Sequence, residues 1–222
     1  LVSSSAASDV YKRQATTPAQ LDAVNRVLMR LGGLQTTQAQ LDNEEGKIST
    51  PGLILDFLLR NNKILQQRGW HFNTEVKKLS PDVNGEIPIP TSVAGQTGNP
   101  TILNIDTVGS SRGTDVINKN GKLFDLKNNT FTFSSELEVA IVYAADLGQL
   151  PQEVVNYLVV KTAMDYNRSY KQAGALDQAL AMEMVDRDRE LKRMELDRAD
   201  FNILDSDEAN AVRGRTRFTS RR

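Results

Sequence analysis

The residues best suited to chemistry are acidic, and they crowd one segment. Glu183, Asp186, Asp188, Glu190, Glu195, Asp197 and Asp200 fall along a predicted long helix and its continuation. A glycoside hydrolase needs two carboxyls held at a defined separation across a cleft. Acids along one exposed helix face do not supply that. Glu183 with Arg187, and Asp188 with Lys192, stand four residues apart with the acid first, the order that stabilises a helix. These acids therefore read as a solvated, salt-bridged face. Asp205, Asp207 and Glu208 follow with a spacing unlike that of an EF-hand loop, and a polar turn is expected there. His71 is the one histidine and there is no cysteine. Thiolate metal sites, disulfides and thiol nucleophiles are thereby excluded, and His71 is expected to be a packed or surface residue. A P-loop, a dinucleotide fingerprint and a nucleophile elbow are all missing. No catalytic residue, cofactor or metal site is expected.

A second charged feature lies at the other sign. Arg213, Arg215, Arg217, Arg221 and Arg222 place five guanidiniums in ten residues. They could be a solvated end, or an arm that docks on an acidic protein surface or on DNA phosphate. They are the candidate assembly-interface residues. The net charge of −1 over 222 residues argues against bulk nucleic-acid binding. No apolar run approaches the roughly 20 residues that cross a bilayer, so no membrane contact is expected.

The elements that must position these groups follow from periodicity. Thr17 caps a first helix with Pro18 inside it; Leu21, Val24, Leu28 and Leu31 share a face, and Gly32-Gly33 ends it. Residues 35–47 read as a polar loop. Ser49 or Thr50 caps a second helix, with Ile54, Phe57, Leu58, Asn61, Leu65 and Arg68 as its inner stripe and Gly69 as its stop. The period then changes to two: Trp70, Phe72, Thr74 and Val76 predict a strand. Trp70 and Phe72 are candidate anchors of a joint between helical and β parts. Residues 80–100 are rich in Pro and Gly and cannot be helix. Strands are expected at residues 101–108, 115–119 and 122–126, the last two around the hairpin signal Asn120-Gly121. Residues 130–133 and 137–143 continue the meander. Helical period returns at Pro151 through Val154, Val155, Leu158, Val159, Ala163 and Tyr166. Gly174 breaks that helix, and a long one follows over residues 175–198 with Leu176, Leu180, Met184, Leu191 and Met194 as its seam, interrupted by Arg187.

Helices, then strands, then helices predict an α+β fold. A helical bundle from the N- and C-terminal helices (residues 15–69 with 146–205) would carry an inserted antiparallel β domain (residues 70–145). Residues 206–222 form an Arg-rich tail. Residues 1–14, LVSSSAASDVYKRQ, lack periodicity, and the last six back-translate as GAT-GTG-TAT-AAG-AGA-CAG, a transposon end of sequencing libraries. They are expected to be a non-native or disordered leader.

One stretch is more specific. Arg68-Gly69-Trp70-His71-Phe72-Asn73-Thr74-Glu75 resembles the R-G-W-x-F-N-x-E segment of the tail tubular protein A family of short-tailed, autographivirus-type bacteriophages. Further blocks appear in that family's order. They are Ala23-Val24-Asn25 with Leu28, Gly32 and Gly33; Leu79-Ser80-Pro81-Asp82 with Gly85, Ile87 and Pro90; and Gly121-Lys122-Leu123-Phe124-Asp125 with Asn129, Thr130 and Phe133. Leu150-Pro151 with Tyr157, Lys161 and Ala163, and Asn202-Ile203-Leu204-Asp205, complete the set. The resemblance spans residues 18–207; the leader and the Arg-rich tail have no counterpart in it.

The resemblance implies a structural virion protein, a ring of about twelve head-to-tail copies joining the portal to the tail nozzle at the head–tail junction. The implied partners are further copies, the portal protein, the nozzle (tail tubular protein B) and, as an additional contact, a tail fibre. Double-stranded DNA would pass through the lumen without specific binding, and assembly would take place in the host cytoplasm. Some members are described as degrading polysaccharide, so a virion-associated polysaccharide or peptidoglycan hydrolase, or a dual-function adaptor, is the alternative. A plain nucleic-acid-binding module would rest on the tail arginines alone.

Overall fold

The computed structural model describes residues 16–42, 49–90 and 101–198. The leader and the Arg-rich tail lie outside the described residues.

Helix α1 (Pro18–Arg30) begins with a capping box: Thr17 Oγ1 accepts from the Gln20 N–H at 3.3 Å, and Gln20 Oε1 accepts from the Thr17 N–H at 2.9 Å. Its inner face buries Ala23, Val24, Val27 and Leu28. It closes in a Schellman motif, in which the Gly33 N–H donates to Leu28 O and the Gly32 N–H to Met29 O.

The expected loop after α1 contains a short helix, α2 (Gln38–Asp42). A second reciprocal cap sets it: Gln40 N–H donates to Thr37 Oγ1 at 3.3 Å while Thr37 N–H donates to Gln40 Oε1 at 3.0 Å. Leu41 is buried beneath it. Asn25 clamps the approach, exchanging hydrogen bonds with the backbone N–H and carbonyl of Thr36 at 2.8 and 3.0 Å.

Helix α3 (Thr50–Gln66) takes Ser49 as its cap. Ile54, Leu58, Asn61 and Leu65 are buried as expected, and Phe57 half so. Arg68 is not part of the inner stripe: the helix has ended at Gln66, and Arg68 is exposed. The strand expected from Trp70 begins only with β1 (Thr74–Leu79); residues 70–73 form a turn closed by Asn73 N–H to Trp70 O. The apparent alternation arises because Trp70 and Phe72 both pack against the helical cluster. Within β1 the phase is the reverse of the expected one, with Val76 60% exposed and Leu79 half-buried.

The remaining strands are β2 (Ile102–Thr107), β3 (Val116–Lys119), β4 (Lys122–Asp125) and β5 (Leu137–Tyr143). Asn120 and Gly121 turn the β3–β4 hairpin with φ of 57° and 75°, as a type I′ turn requires. The predicted meander does not form. Residues 130–133 make only isolated bridges, and β5 lies between β1 and β2, antiparallel to both. The reason is in β5 itself: Leu137-Glu-Val-Ala-Ile-Val-Tyr143 is apolar on both faces, which suits a central strand. Val139 and Ile141 are fully buried, in a cluster with Ile87, Ile105 and Leu123.

Helix α4 (Gln152–Tyr166) packs against α1, α3 and α5 and supplies the centre of the helical cluster through Val154, Leu158, Val159, Val160 and Ala163. Arg26 on α1 reaches Asn156 on α4. A single π-helical turn, Asn167–Lys171, follows α4, and Gln172 adopts a left-handed conformation (φ 53°). The break thus falls at Gln172, and Gly174 is the first residue of α5 (Gly174–Arg198) rather than the breaker. The Asn167 side chain sets the elbow by bonding both the N–H and the carbonyl of Ala173. Along α5, Leu180, Leu191 and Met194 are buried as the seam predicts. The fold is α+β, with one buried cluster among the helices and one among the strands.

Candidate assembly interface

The joint between the two clusters is built from two buried amides. Gln66, on the last turn of α3, points both ends of its side chain at Ala145. Its Nε2 donates to Ala145 O at 2.8 Å, and its Oε1 accepts from the Ala145 N–H at 2.7 Å. Asn73 does the complementary work at the start of β1. Its Nδ2 donates to Gln66 O at 3.1 Å and Tyr143 O at 2.9 Å, its Oδ1 accepts from the Trp70 N–H at 2.8 Å, and its carbonyl accepts from the Tyr143 N–H at 2.8 Å. Between them Gly69 holds a left-handed φ of 73°. An added Cβ would lie 3.1 Å from Val142 and 3.2 Å from Thr74, so a side chain here would be both strained and crowded, which favours glycine.

Trp70 is half-buried, and its indole N–H donates to Leu65 O at 2.8 Å, covering an end carbonyl of α3. Phe72 is half-buried against the same cluster. His71 between them is neither simply packed nor free. Its Nδ1 lies 2.6 Å from Glu195 Oε2, and its backbone N–H donates to the same carboxylate at 3.1 Å. Glu195 is therefore not part of a solvated face; it ties α5 to the joint. No periodic signal marks Gln66, Asn73 or the long-range His71–Glu195 pairing, though Asn73 stands in the R-G-W-H-F-N stretch.

The other acids of α5 fall into two kinds. Glu183 is half-buried and takes Arg30 of α1 as its main partner, at 2.8 Å, with Arg187 at 3.4 Å. The Arg30 hydrogen bonds hold the Glu183 carboxyl below its ordinary range, against the opposing effect of burial. A glycosidase general acid needs the opposite shift. Glu190 holds Arg187 at 2.7 Å, raising its pKa. Asp186 pairs with Arg189 and Asp188 with Lys192, as the spacing predicts for the latter. Glu153 and Glu190, with Arg193, Met194 and Asp197, line an open groove between α4 and α5. Among the described residues no group of three or more His, Asp or Glu side chains could hold a metal ion. None of the described helices is long and apolar enough to cross a membrane.

What the surface offers besides is contact area. A groove of about 430 Å³ between α3 and α4 is lined by Phe57, Arg60, Ile64, Lys161 and Arg168 among others. The Tyr170 ring meets Phe57 edge-on at 6.3 Å and is half exposed. The described surface thus offers paired charges and exposed apolar side chains on helices. The family model for tail tubular protein matches residues 21–201.

The chain belongs to the tail tubular protein family. It is also similar to Tail tubular protein A of Klebsiella phage KP34, 26% identical over 150 residues that cover 66% of this chain and 72% of the phage protein. It is thus a structural component of a bacteriophage tail. The tail tubular segment at residues 68–75 has a physical account here. Gly69 is favoured by its left-handed backbone, Trp70 covers α3, and Asn73 joins helix to sheet. Asn25, from the Ala-Val-Asn block, is explained by its clamp on Thr36. The match starts after the leader and ends before Arg213, so Arg213, Arg215, Arg217, Arg221 and Arg222 lie outside both it and the described residues.

Proposed function

We propose that the chain is a head-to-tail adaptor: a ring of about twelve copies seated between the portal and the tail nozzle, whose lumen passes the genome during ejection. The observation that carries this reading is the tail tubular match across residues 21–201, supported by the likeness to a Tail tubular protein A. The near-neutral net charge of −1 suits a channel that must not grip DNA by neutralising its phosphates. In this reading residues 15–69 and 146–205 form the helical body that packs laterally. Residues 70–145 form a β domain offering a second contact surface. The expected partners are further copies, the portal protein, tail tubular protein B of the nozzle and a tail fibre, and the site is the head–tail junction of virions assembled in the host cytoplasm. Co-expression with the portal protein of the same phage tests it. Electron micrographs should show an added ring on one end of the portal particle; portal particles that remain bare would contradict the adaptor role.

The Arg-rich end has its own part in this proposal. Residues 209–222 hold too few apolar side chains to build a core. Their five guanidiniums can still make charge-assisted hydrogen bonds to carboxylates. Residues 183–208 carry ten acids against five bases, so the tail has an acidic target on a neighbouring copy. Truncation after Asn210 should leave the monomer folded and weaken assembly, more so at high salt. Normal assembly of the truncated chain at every salt concentration would remove the tail from the account.

A further inference from the structure

The sequence holds two Asn-Gly pairs, Asn84-Gly85 and Asn120-Gly121, and both stand in turns of the β part. Such a pair can modify itself, because glycine puts no side chain between its own nitrogen and the asparagine amide. The glycine nitrogen attacks Cγ of the asparagine. A new N–Cγ bond forms, the Cγ–Nδ2 bond breaks, and Nδ2 leaves as ammonia with the proton shed by the glycine N–H. Water then opens the succinimide ring. Opening at Cγ gives aspartate, and opening at the main-chain carbonyl carbon gives isoaspartate. The reaction needs a glycine N–H that can leave its hydrogen bond and a backbone free to bend toward the side chain.

The two pairs differ in both respects. The Gly85 N–H donates to a backbone acceptor, Asp82 O, at 2.9 Å, and the Gly85 carbonyl accepts from the Phe133 N–H at 2.8 Å. The Asn84 N–H donates to Asp82 Oδ1 at 2.8 Å. Gly85 is half-buried, and a Cβ added there would lie 3.2 Å from Thr132 Cγ2. Asn120 and Gly121 are both exposed, and among the described residues nothing lies within 4 Å of a Cβ added at Gly121. The Gly121 carbonyl accepts from the Ile89 N–H at 2.9 Å. Its N–H, however, donates to a side chain, Asn118 Oδ1, at 3.1 Å, and Asn118 is itself exposed.

We propose that Asn120 is a self-modification site, deamidating through attack by the Gly121 nitrogen, and that Asn118 guards it by occupying the Gly121 N–H. Asn84 is held unreactive by its turn. Isoaspartate at position 120 would add a carbon to the main chain of the β3–β4 turn, whose φ values of 57° and 75° then no longer close the hairpin in register. Either product sets a carboxylate between Lys122 and Lys119, whose Nζ lies 4.3 Å from the Phe124 ring centroid.

The test ages the full chain at mildly alkaline pH, folded and, in parallel, unfolded in urea. Peptide mass mapping locates each exchange of amide for acid, and a protein-isoaspartate methyltransferase reports the isoaspartate. The folded chain should react at Asn120 well before Asn84, and the unfolded chain at both sites at comparable rates. Asn118→Ala should speed the reaction at Asn120 by roughly two- to tenfold, the worth of one ordinary hydrogen bond. Asn118→Asp keeps an acceptor for the Gly121 N–H and should not speed it. Equal rates at the two sites in the folded chain, or Asn84 reacting first, would overturn the proposal. So would an intact Asn120 in folded chain aged until the unfolded chain is consumed. An unaltered rate in Asn118→Ala, or a rise at Asn84 and Asn120 together, would overturn the guard role of Asn118.

Discussion

Gln66 and Ala145 exchange two hydrogen bonds, the side-chain amide of one acting as a surrogate peptide for the backbone of the other. The pair is formed across 79 residues of sequence and closes the route by which the chain leaves the sheet after β5 and returns to the helices. Gln66 is 1% exposed, so water does not compete at that point.

Replacing Gln66 with Leu keeps the volume and removes both hydrogen bonds. The Ala145 N–H and carbonyl would be left without partners, at a cost of about 1–3 kcal/mol for each buried group. The expected result is a lower urea midpoint together with faster hydrogen exchange at the Ala145 amide. A variant with wild-type exchange at that amide would show that the joint is held elsewhere.

Trp70 supplies the apolar side of the same joint. Trp→Ala at a fully buried site costs about 3–5 kcal/mol. Because Trp70 is half-buried, the lower end of that range is expected, and Trp70→Phe should recover most of it while still losing the bond to Leu65 O. Unchanged thermal midpoints in both variants would mark Trp70 as a surface residue and move attention to its role in contacts between copies. Phe72→Ala should cost less than Trp70→Ala, having less area to lose.

Glu183 gives the fold an acid dependence of known sign. Its folded-state pKa lies below the ordinary value of 4.5, chiefly through Arg30. Its contribution is therefore fully present above the unfolded-state pKa and is lost as the pH falls through the lowered folded value. Stability measured from pH 7 downward should decline more steeply below about 4.5 in the wild type than in Glu183→Gln. Parallel curves for the two proteins would mean that the Arg30 pair contributes nothing.

The proposed structural role takes the acids of α5 as packing and pairing residues and none of them as catalytic. Glu183→Gln, Asp186→Asn and Glu190→Gln should each change stability by about 1 kcal/mol or less and leave assembly on the portal intact. Glu153→Gln completes the set, since Glu153 shares a groove with Glu190. The rival hydrolase reading is tested with purified protein on host capsule and peptidoglycan. A reproducible cleavage that one of these variants abolishes, with folding retained, would establish an enzyme.

Sequence signals were strongest where they are local. The Thr17-Pro18 and Ser49-Pro51 starts and the Asn120-Gly121 turn could be read directly, because caps and turns depend on adjacent residues. The apolar stripes of α4 and α5 were legible for the same reason. Helix α2 was missed although Thr37 and Gln40 spell its capping box, since five residues are too few to show a period. The turn at residues 70–73 imitated a strand because Trp70 and Phe72 face one cluster from a non-strand backbone. Strand order was not legible, because the central place of β5 depends on partners far away in sequence. The joint itself was hidden for a different reason: a buried Gln or Asn looks like any surface amide until its partners are known. His71 and Glu195 illustrate the point, being 124 residues apart and in direct contact.

The central claim is that this tail tubular protein works as a ring on the portal, and its stoichiometry is the most direct test. Native mass spectrometry of the complex formed with the portal protein should give about twelve copies of the chain per portal particle. The free chain is allowed to be monomeric, since the portal can template the ring. A complex holding one copy per portal particle would contradict the account.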